Sequence, residues 1–208
     1  MSYTGVALIN YGVKRHKSND DMPIKSDKEL LVWIDLEMTG LDAITDNILE
    51  VSCIVTTAEL DEVDNISMAI SSSLETLNNM NSWCQYHHKK SGLWDLCLDS
   101  TYSAAEVEDA VIKFLSKYFT STKPIMCGNC VSQDRKFLVL QMPKLDLFFS
   151  HRVLDISSFR VIDYVWLSHK RDIASNFRQK CTHKSLQDLR DNIEELIAYR
   201  ELWDLTKC

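Results

Sequence analysis

Residues 31–40 read LVWIDLEMTG, and the two acids inside that stretch, Asp35 and Glu37, decide how the rest of the chain is read. A β-strand repeats every two residues, so both carboxylates leave the backbone on one side while Leu36 leaves on the other. The run Leu30-Leu31-Val32-Trp33-Ile34 before them is apolar without alternation, which is the pattern of a strand covered on both faces in an α/β sheet. Two unpaired carboxylates at the end of such a strand repel each other and resist desolvation. A divalent cation removes that penalty, and hard oxygen ligands on rigid backbone suit Mg²⁺ or Mn²⁺. Taken alone, Asp-x-Glu more often marks a solvated strand edge than a metal site, so the reading needs partners elsewhere in the chain.

Working outward, Thr39-Gly40-Leu41-Asp42 forms a turn, Ile48 to Thr57 (ILEVSCIVTT) reads as a second strand and Ile66 to Ser71 as a weaker third. Consecutive strands with short turns indicate a meander at the start of a mixed sheet. Two helical pieces are expected between Leu74 and Asp99. Ser103-Ala-Ala-Glu106 is a capping-box pattern, followed at helical spacing by Val107, Val111, Phe114, Leu115 and Tyr118, with Pro124 as the stop. Ile125-Met126-Cys127 then reads as a short buried strand, and Gly128-Asn129 turns into a helix over Val131 to Met142 that Pro143 ends. Val153 to Ile156 is a further strand, with Ser157 placed to start a helix to about Leu167. Residues 170–181 read as loop. A last helix runs from about Lys184 to Trp203 with Leu186, Leu189, Ile193, Leu196 and Ile197 on one face. Strands first and helices alternating with short strands afterwards point to an α/β layered domain.

Composition narrows the partners. The 208 residues are expected to form one folded domain over 29–208, preceded by a polar, mixed-charge extension over 1–28 that reads as flexible. A net charge of −7 argues against a protein that coats long nucleic acid through a broad basic face. No apolar run approaches the roughly 18 residues that would cross a bilayer, and residues 1–28 lack the basic start and apolar block of a secretory signal. Seven cysteines scattered through apolar segments suit reduced thiols in an intracellular protein. The cytoplasm is the expected compartment. A mitochondrial address stays open through the basic cluster Lys14-Arg15-His16-Lys17, although Asp20 and Asp21 follow closely and transit peptides are poor in acid. Cys127-Gly-Asn-Cys130 is a CxxC, read as inert thiols rather than zinc ligands because no second CxxC completes a tetrahedral set. Trp33 and Trp94 are expected in the core, Trp203 in the core or on a dimer surface, and His87 and His169 exposed.

Three further groups can complete a cation site. Asp134 falls early in the helix after Gly128-Asn129, among apolar Val131, Phe137 and Leu138, so it is placed to face the sheet; the alternative is complementation of the helix dipole. His183 precedes the last helix and Asp188 lies inside it. Five residues do not share a helical face, but a histidine in the loop before the helix can meet that acid at one point. A surface pair would show the same spacing.

The blocks WIDLEMTGLD, W-x4-H with SGL downstream, CGN-x3-QDR-x-F, LD-x-S and H-x4-D-x-R-x3-EEL-x2-YRE occur in the order and spacing of oligoribonucleases, small DEDDh-type 3′-to-5′ exoribonucleases. The resemblance covers Lys28 to Trp203. It implies an RNase H-like exonuclease fold with a mixed five-stranded sheet flanked by helices, and a homodimer. It implies that Asp35, Glu37, Asp134 and Asp188 hold two Mg²⁺ or Mn²⁺ ions and that His183 is the general base. Leu41 and Trp83 match residues that pack on the bases, and His88 and Arg152 match residues that cap the 5′ phosphate of a very short oligoribonucleotide. Ser157 matches another residue lining that pocket. The implied activity is hydrolysis of very short oligoribonucleotides, dinucleotides above all, to nucleoside 5′-monophosphates. An exonuclease of the same superfamily acting on longer RNA or DNA, and a silent oligonucleotide-binding dimer, are the competing readings. The −7 charge opposes the first, and the full set of four acids and one histidine opposes the second. The chain departs from the family pattern at Cys130, where serine is common, and at His151, where the partner subunit usually supplies a tyrosine. Gln187 replaces an acid beside Asp188.

Overall fold

The computed structural model describes residues 30–166 and 184–203. The expected extension over 1–28, the loop 170–181, His169, Cys181 and His183 all lie outside the described residues. The first strand, β1, runs Leu30–Met38 and the second, β2, Ile48–Thr57, both where their apolar runs predict them. They pair antiparallel, and β2 pairs antiparallel with β3, Glu62–Ala69. β3 thus begins at Glu62 rather than Ile66. Its polar start is legible only from its place: it is an edge strand held in register by β2, with Asp64 opposite Val55 and Asn65 opposite Ile54, so one face and one edge stay in water.

The segment expected as two helices holds three: α1, Leu74–Asn78; α2, Ser82–Ser91; and α3, Leu93–Asp99. Asn81 caps α2 by accepting from the Cys84 amide, and Gly92 at φ 88° breaks α2 from α3. Helix α4, Ala104–Leu115, carries the predicted capping box at Ser103 and Glu106. It closes at Ser116, well before Pro124, with the Ser116 hydroxyl donating to the Ile112 carbonyl. Strand β4, Met126–Gly128, leads into α5, Val131–Gln141. Pro143 stops α5 and also opens a short helix, α6, Pro143–Phe148, because a proline at the first helical position loses no hydrogen bond. Strand β5, Val153–Asp155, helix α7, Ile156–Trp166, and helix α8, Ser185–Leu202, complete the elements among the described residues. Asp155 rather than Ser157 caps α7, its Oδ1 accepting from the Ser157 amide at 2.9 Å.

The sheet order is β3-β2-β1-β4-β5, with β4 and β5 parallel to β1. Period two then sorts the core. Val32, Ile34 and Leu36 face α4, α5 and α6, while Trp33, with Ile54 from β2, faces α7 and α8 through Ile156, Leu189, Ile193 and Leu196. Asp35 and Glu37 share the α8 side with Trp33. Trp33 is fully buried and donates its indole N–H to Thr56 Oγ1 at 3.1 Å. Trp94 is also core, in a satellite cluster with Leu49, Leu77 and Cys97. Among the described residues no helix is long and apolar enough to cross a membrane.

One buried acid holds the layer behind the sheet. Glu108 of α4, 5% exposed, accepts from the amides of Lys144 (2.7 Å) and Leu145 (3.0 Å) and so caps α6 from another helix. Glu108→Ala leaves two amides without a charged acceptor and is expected to lower unfolding free energy by about 2–3 kcal/mol. Urea unfolding measures it, and a loss below about 0.5 kcal/mol would mean that water replaces the carboxylate.

Candidate active site

β1 is longer than β4, and the site begins where β4 ends. Pairing between them is confined to Val32 with Met126 and Trp33 with Cys127. At the next step Gly128 passes so close that a Cβ there would stand 2.8 Å from the Ile34 carbonyl oxygen. Beyond it β1 has no strand neighbour on that side. The Leu36 amide, which lies between Asp35 and Glu37 in the chain, donates instead to Asp134 Oδ1 at 3.1 Å. Asp134 is 6% exposed and stands in the first turn of α5, so the expected sheet-facing placement is found. β1 and β4 also mark the point where the chain's connections turn to opposite edges of the sheet, and the carboxyl ends of strands at such a point form a natural crevice.

From the other side, α8 brings Asp188 in its first turn. The four acids are close enough to act on one another. Burial first, then repulsion from Asp134, Glu37, Asp188 and Glu50, holds the Asp35 carboxyl well above the usual carboxylate range. Burial and then Glu50, Asp188 and Asp134 push Glu37 from an ordinary 4.5 up to about 8. Burial raises Asp134 from 3.8 to about 7 although the Leu36 amide pulls the other way. Among the described residues neither Asp35, Glu37 nor Asp134 forms an ion pair with lysine or arginine. Nor, among the described residues, do three histidine, cysteine or carboxylate groups converge closely enough to hold an ion as they stand. Mutually repelling acids with no cationic side chain on three of them are a donor set that fits hard divalent cations, which would draw the side chains together.

The candidate substrate residues divide. Leu41 and Trp83 are 76% and 58% exposed, large apolar side chains held open to solvent. The Gln133 side chain fixes the Leu41 loop by donating to the Leu41 carbonyl at 2.6 Å. Cys130, exposed and in the left-handed region at φ 54°, is the cap residue of α5; Ser157 lies in the first turn of α7. Asp155 Oδ1 accepts from both their amides, at 2.9 Å each, and so clamps the starts of the two helices side by side. Arg152 and His151 are exposed just before β5. His88 differs from expectation. It is 2% exposed, its Nε2 donates to the Met38 carbonyl at 2.9 Å, and its Nδ1 stands 3.8 Å from Glu37 Oε2. A ring placed so deeply braces the end of β1 and is not open to a phosphate. Burial accordingly lowers its pKa. His87 is half-buried rather than exposed, its ring 4.1 Å from that of Trp83.

Residue-by-residue reading missed Glu50, Ser52 and Ser185, which meet behind Asp188, and Asp155. Glu50 carried a signal, being the single acid in an otherwise apolar and hydroxylic strand. Asp155 stands in the LD-x-S block, but that block is read for Ser157, and a helix cap supplied by the preceding strand has no spacing that marks it as one.

The exonuclease family model (RNase T type) matches residues 32–196. The chain is 42% identical over 172 residues to the oligoribonuclease of Xanthomonas campestris pv. campestris strain 8004, covering 82% of this chain and 87% of that one. It is 42% identical, over 82% of this chain and 92% of the relative, to the oligoribonuclease of Hydrogenovibrio crunogenus. Among solved structures it resembles the nuclease domain of 3′hExo, a DEDDh family member bound to rAMP, with TM-score 0.61 and 18% identity over 87% of this chain and 95% of that domain. It also resembles exonuclease I from Methylocaldum szegediense, with TM-score 0.64 and 14% identity over 83% of this chain but only 40% of that longer one. At such identities the structures speak to the fold, which is the RNase H-like exonuclease architecture.

Proposed function

The chain belongs to the oligoribonuclease family of exonucleases, and on that premise we propose that it hydrolyses very short oligoribonucleotides from the 3′ end, releasing nucleoside 5′-monophosphates. The observation that carries this reading is Asp134 reaching across from α5 to the Leu36 amide, so that acids from β1, α5 and α8 surround one strand end. Asp35, Glu37, Asp134 and Asp188 are assigned to hold two divalent cations, Mg²⁺ or Mn²⁺. When bound, such a pair offsets the charge that builds on the attacking and departing oxygens of an in-line displacement.

The chain's own residues do the rest. Leu41 and Trp83 grip bases by apolar contact and stacking, which tolerates any sequence. His183, which lies outside the described residues, is assigned to take the proton of the attacking water; an imidazole of ordinary pKa near 6.5 does so at neutral pH. A water oxygen bonds to phosphorus as the bond to the 3′ oxygen breaks, and the shortened chain leaves with a 3′ hydroxyl. Cys130, Ser157 and Arg152, with His151 contributed by a second copy, are assigned to the 5′ phosphate. The paired starts of α5 and α7 support that choice, because helix N-termini attract anions. The exposed apolar side chains Val139, Leu140 and Val153 near His151 support a homodimer.

The test is direct. A 5′-labelled diribonucleotide and a 5′-labelled heptaribonucleotide are incubated with and without Mg²⁺. Mononucleotide should appear only with metal, and faster from the dinucleotide. Equal rates at both lengths would remove the length preference, and no turnover with Mg²⁺ or Mn²⁺ would overturn the assignment.

A further inference from the structure

We propose that Glu50 is a positioning residue for this reaction: through Ser185 it fixes the first turn of α8 against the sheet, and thereby where Asp188 stands relative to Asp35 and Glu37. The inference rests on the proposed exonuclease reading and adds a role outside the four carboxylates and the histidine.

Glu50 occupies a place that stability alone disfavours. It is the register partner of Glu37 across β1 and β2, and like charges directly opposite one another destabilise a sheet. Both of its oxygens are taken. Ser67 of β3 donates to Oε1 at 2.6 Å and Ser185 donates to Oε2 at 2.5 Å. With each oxygen engaged by a hydroxyl, Glu50 is assigned as a holder of hydroxyls.

Ser185 is the first residue of α8 and is 2% exposed. The residue before it, Lys184, makes no side-chain capping bond, and its carbonyl accepts only from the amides of Gln187 and Asp188 within the helix, so among the described residues the tie to the sheet comes through Ser185. A hydroxyl has one proton to give. Since Ser185 gives its proton to Glu50, its 2.6 Å contact with Ser52 must run the other way, with Ser52 donating. Ser52 is fully buried and is the register partner of Asp35. The chain of hydroxyls Ser52 to Ser185 to Glu50 therefore has one sense and ends on an ionisable oxygen, which makes it short and directional. It ties the start of α8 to β2 at the two positions facing the two acids of β1. Asp188 follows within the same turn, so its distance from Asp35 and Glu37 is set by this tie.

The experiment uses the full chain with Glu50→Ala, Glu50→Gln, Ser185→Ala and the Glu50→Ala/Ser185→Ala double variant. Three quantities are read: kcat and KM on a 5′-labelled diribonucleotide with Mg²⁺, Mn²⁺ affinity without substrate by electron paramagnetic resonance, and thermal unfolding in EDTA. Partners that orient ligands are worth about 10- to 100-fold, so Glu50→Ala and Ser185→Ala should each lower kcat and weaken Mn²⁺ by that order, with KM changed less than about threefold. The double variant should be no worse than the more impaired single one, because both break one tie. Glu50→Gln keeps one acceptor oxygen and should fall between. A purely structural role would move the unfolding temperature and leave Mn²⁺ affinity alone. Values of kcat and Mn²⁺ affinity within about twofold of wild type in Ser185→Ala and both Glu50 variants would overturn the proposal. Should Glu50→Ala fail to fold, Glu50→Gln and Ser185→Ala decide it by the same criterion. If the wild-type chain hydrolyses nothing with metal, the exonuclease reading falls, while the Mn²⁺ affinities still judge the tie.

Discussion

Asp35→Asn should lower kcat by about a thousandfold or more, roughly 4 kcal/mol of barrier at 1.4 kcal/mol per tenfold, and should raise the melting temperature of the metal-free protein. The two effects share one cause. Burial first, and then repulsion from Asp134, Glu37, Asp188 and Glu50, raises the Asp35 carboxyl well above its ordinary range, so its ionised form is costly to the fold. An amide of the same shape keeps the packing and removes a charge that the fold resists. It also removes one of the anionic oxygens assigned to the cations. Relief of about 1–2 kcal/mol corresponds to a rise of a few degrees for a chain of this size. Opposite movements of activity and stability are characteristic of residues kept for function. Activity within tenfold of wild type, or a lower melting temperature in EDTA, would show that Asp35 is an ordinary strand residue. Differential scanning calorimetry beside the dinucleotide assay gives both readings on one preparation.

What the amino-acid order disclosed follows from the range of each signal. β2 was legible to the residue because ten consecutive positions obey one rule, β-branched and apolar side chains broken only by Glu50 and small hydroxyls. The pair Asp35 and Glu37 was legible because period two is a local property of any strand. Asp134 was half legible: its apolar neighbours indicated a face toward the sheet, but its bond to the Leu36 amide depends on β4 stopping short, and no local pattern encodes that. β3 was misjudged at its start because Glu62, Asp64 and Asn65 pair through backbone at a sheet edge, where side chains need not be apolar. The helices between Leu74 and Asp99 were undercounted because Asn81 and Gly92 act over single residues inside an otherwise helical run. His88 shows a different limit. Its motif position matches a phosphate contact, but whether a side chain is open or buried is decided by what packs over it, here the end of β1 and Glu37. The tie from Glu50 to Ser185 joins residues more than a hundred positions apart through hydroxyls, which have no periodic signature.

In EDTA the protein should be most stable in mildly acid buffer and should weaken steadily as the pH rises toward 8. The sign follows from proton counting. Glu37 has an ordinary pKa of 4.5 and a folded value of about 8, and Asp134 goes from 3.8 to about 7. Between those limits the folded chain holds protons that the unfolded chain has released. Unfolding stability therefore falls with rising pH, by up to about 1.4 kcal/mol per pH unit for each group in its window. Below about pH 3 both states are protonated and the effect of these groups is flat, while above about pH 9 the whole penalty has been incurred. The sum between about pH 5 and pH 8 is on the order of 6 kcal/mol, or about 10–20 °C in melting temperature. Divalent cations reverse the trend, because they bind the ionised carboxylates and release the same protons. Millimolar Mg²⁺ or Mn²⁺ should thus change little near pH 5 and stabilise strongly near pH 8, where fewer protons have to be displaced from the ligands. Melting curves at several pH values, with EDTA and with Mg²⁺ or Mn²⁺, read both arms. A melting temperature in EDTA that is flat or rises across this range would mean that the four acids ionise without mutual penalty. A cation effect independent of pH would place binding elsewhere on the chain. The ionisation that burdens the metal-free fold is the same ionisation the cations require before the site can act, so loading and stability are expected to share one pH dependence.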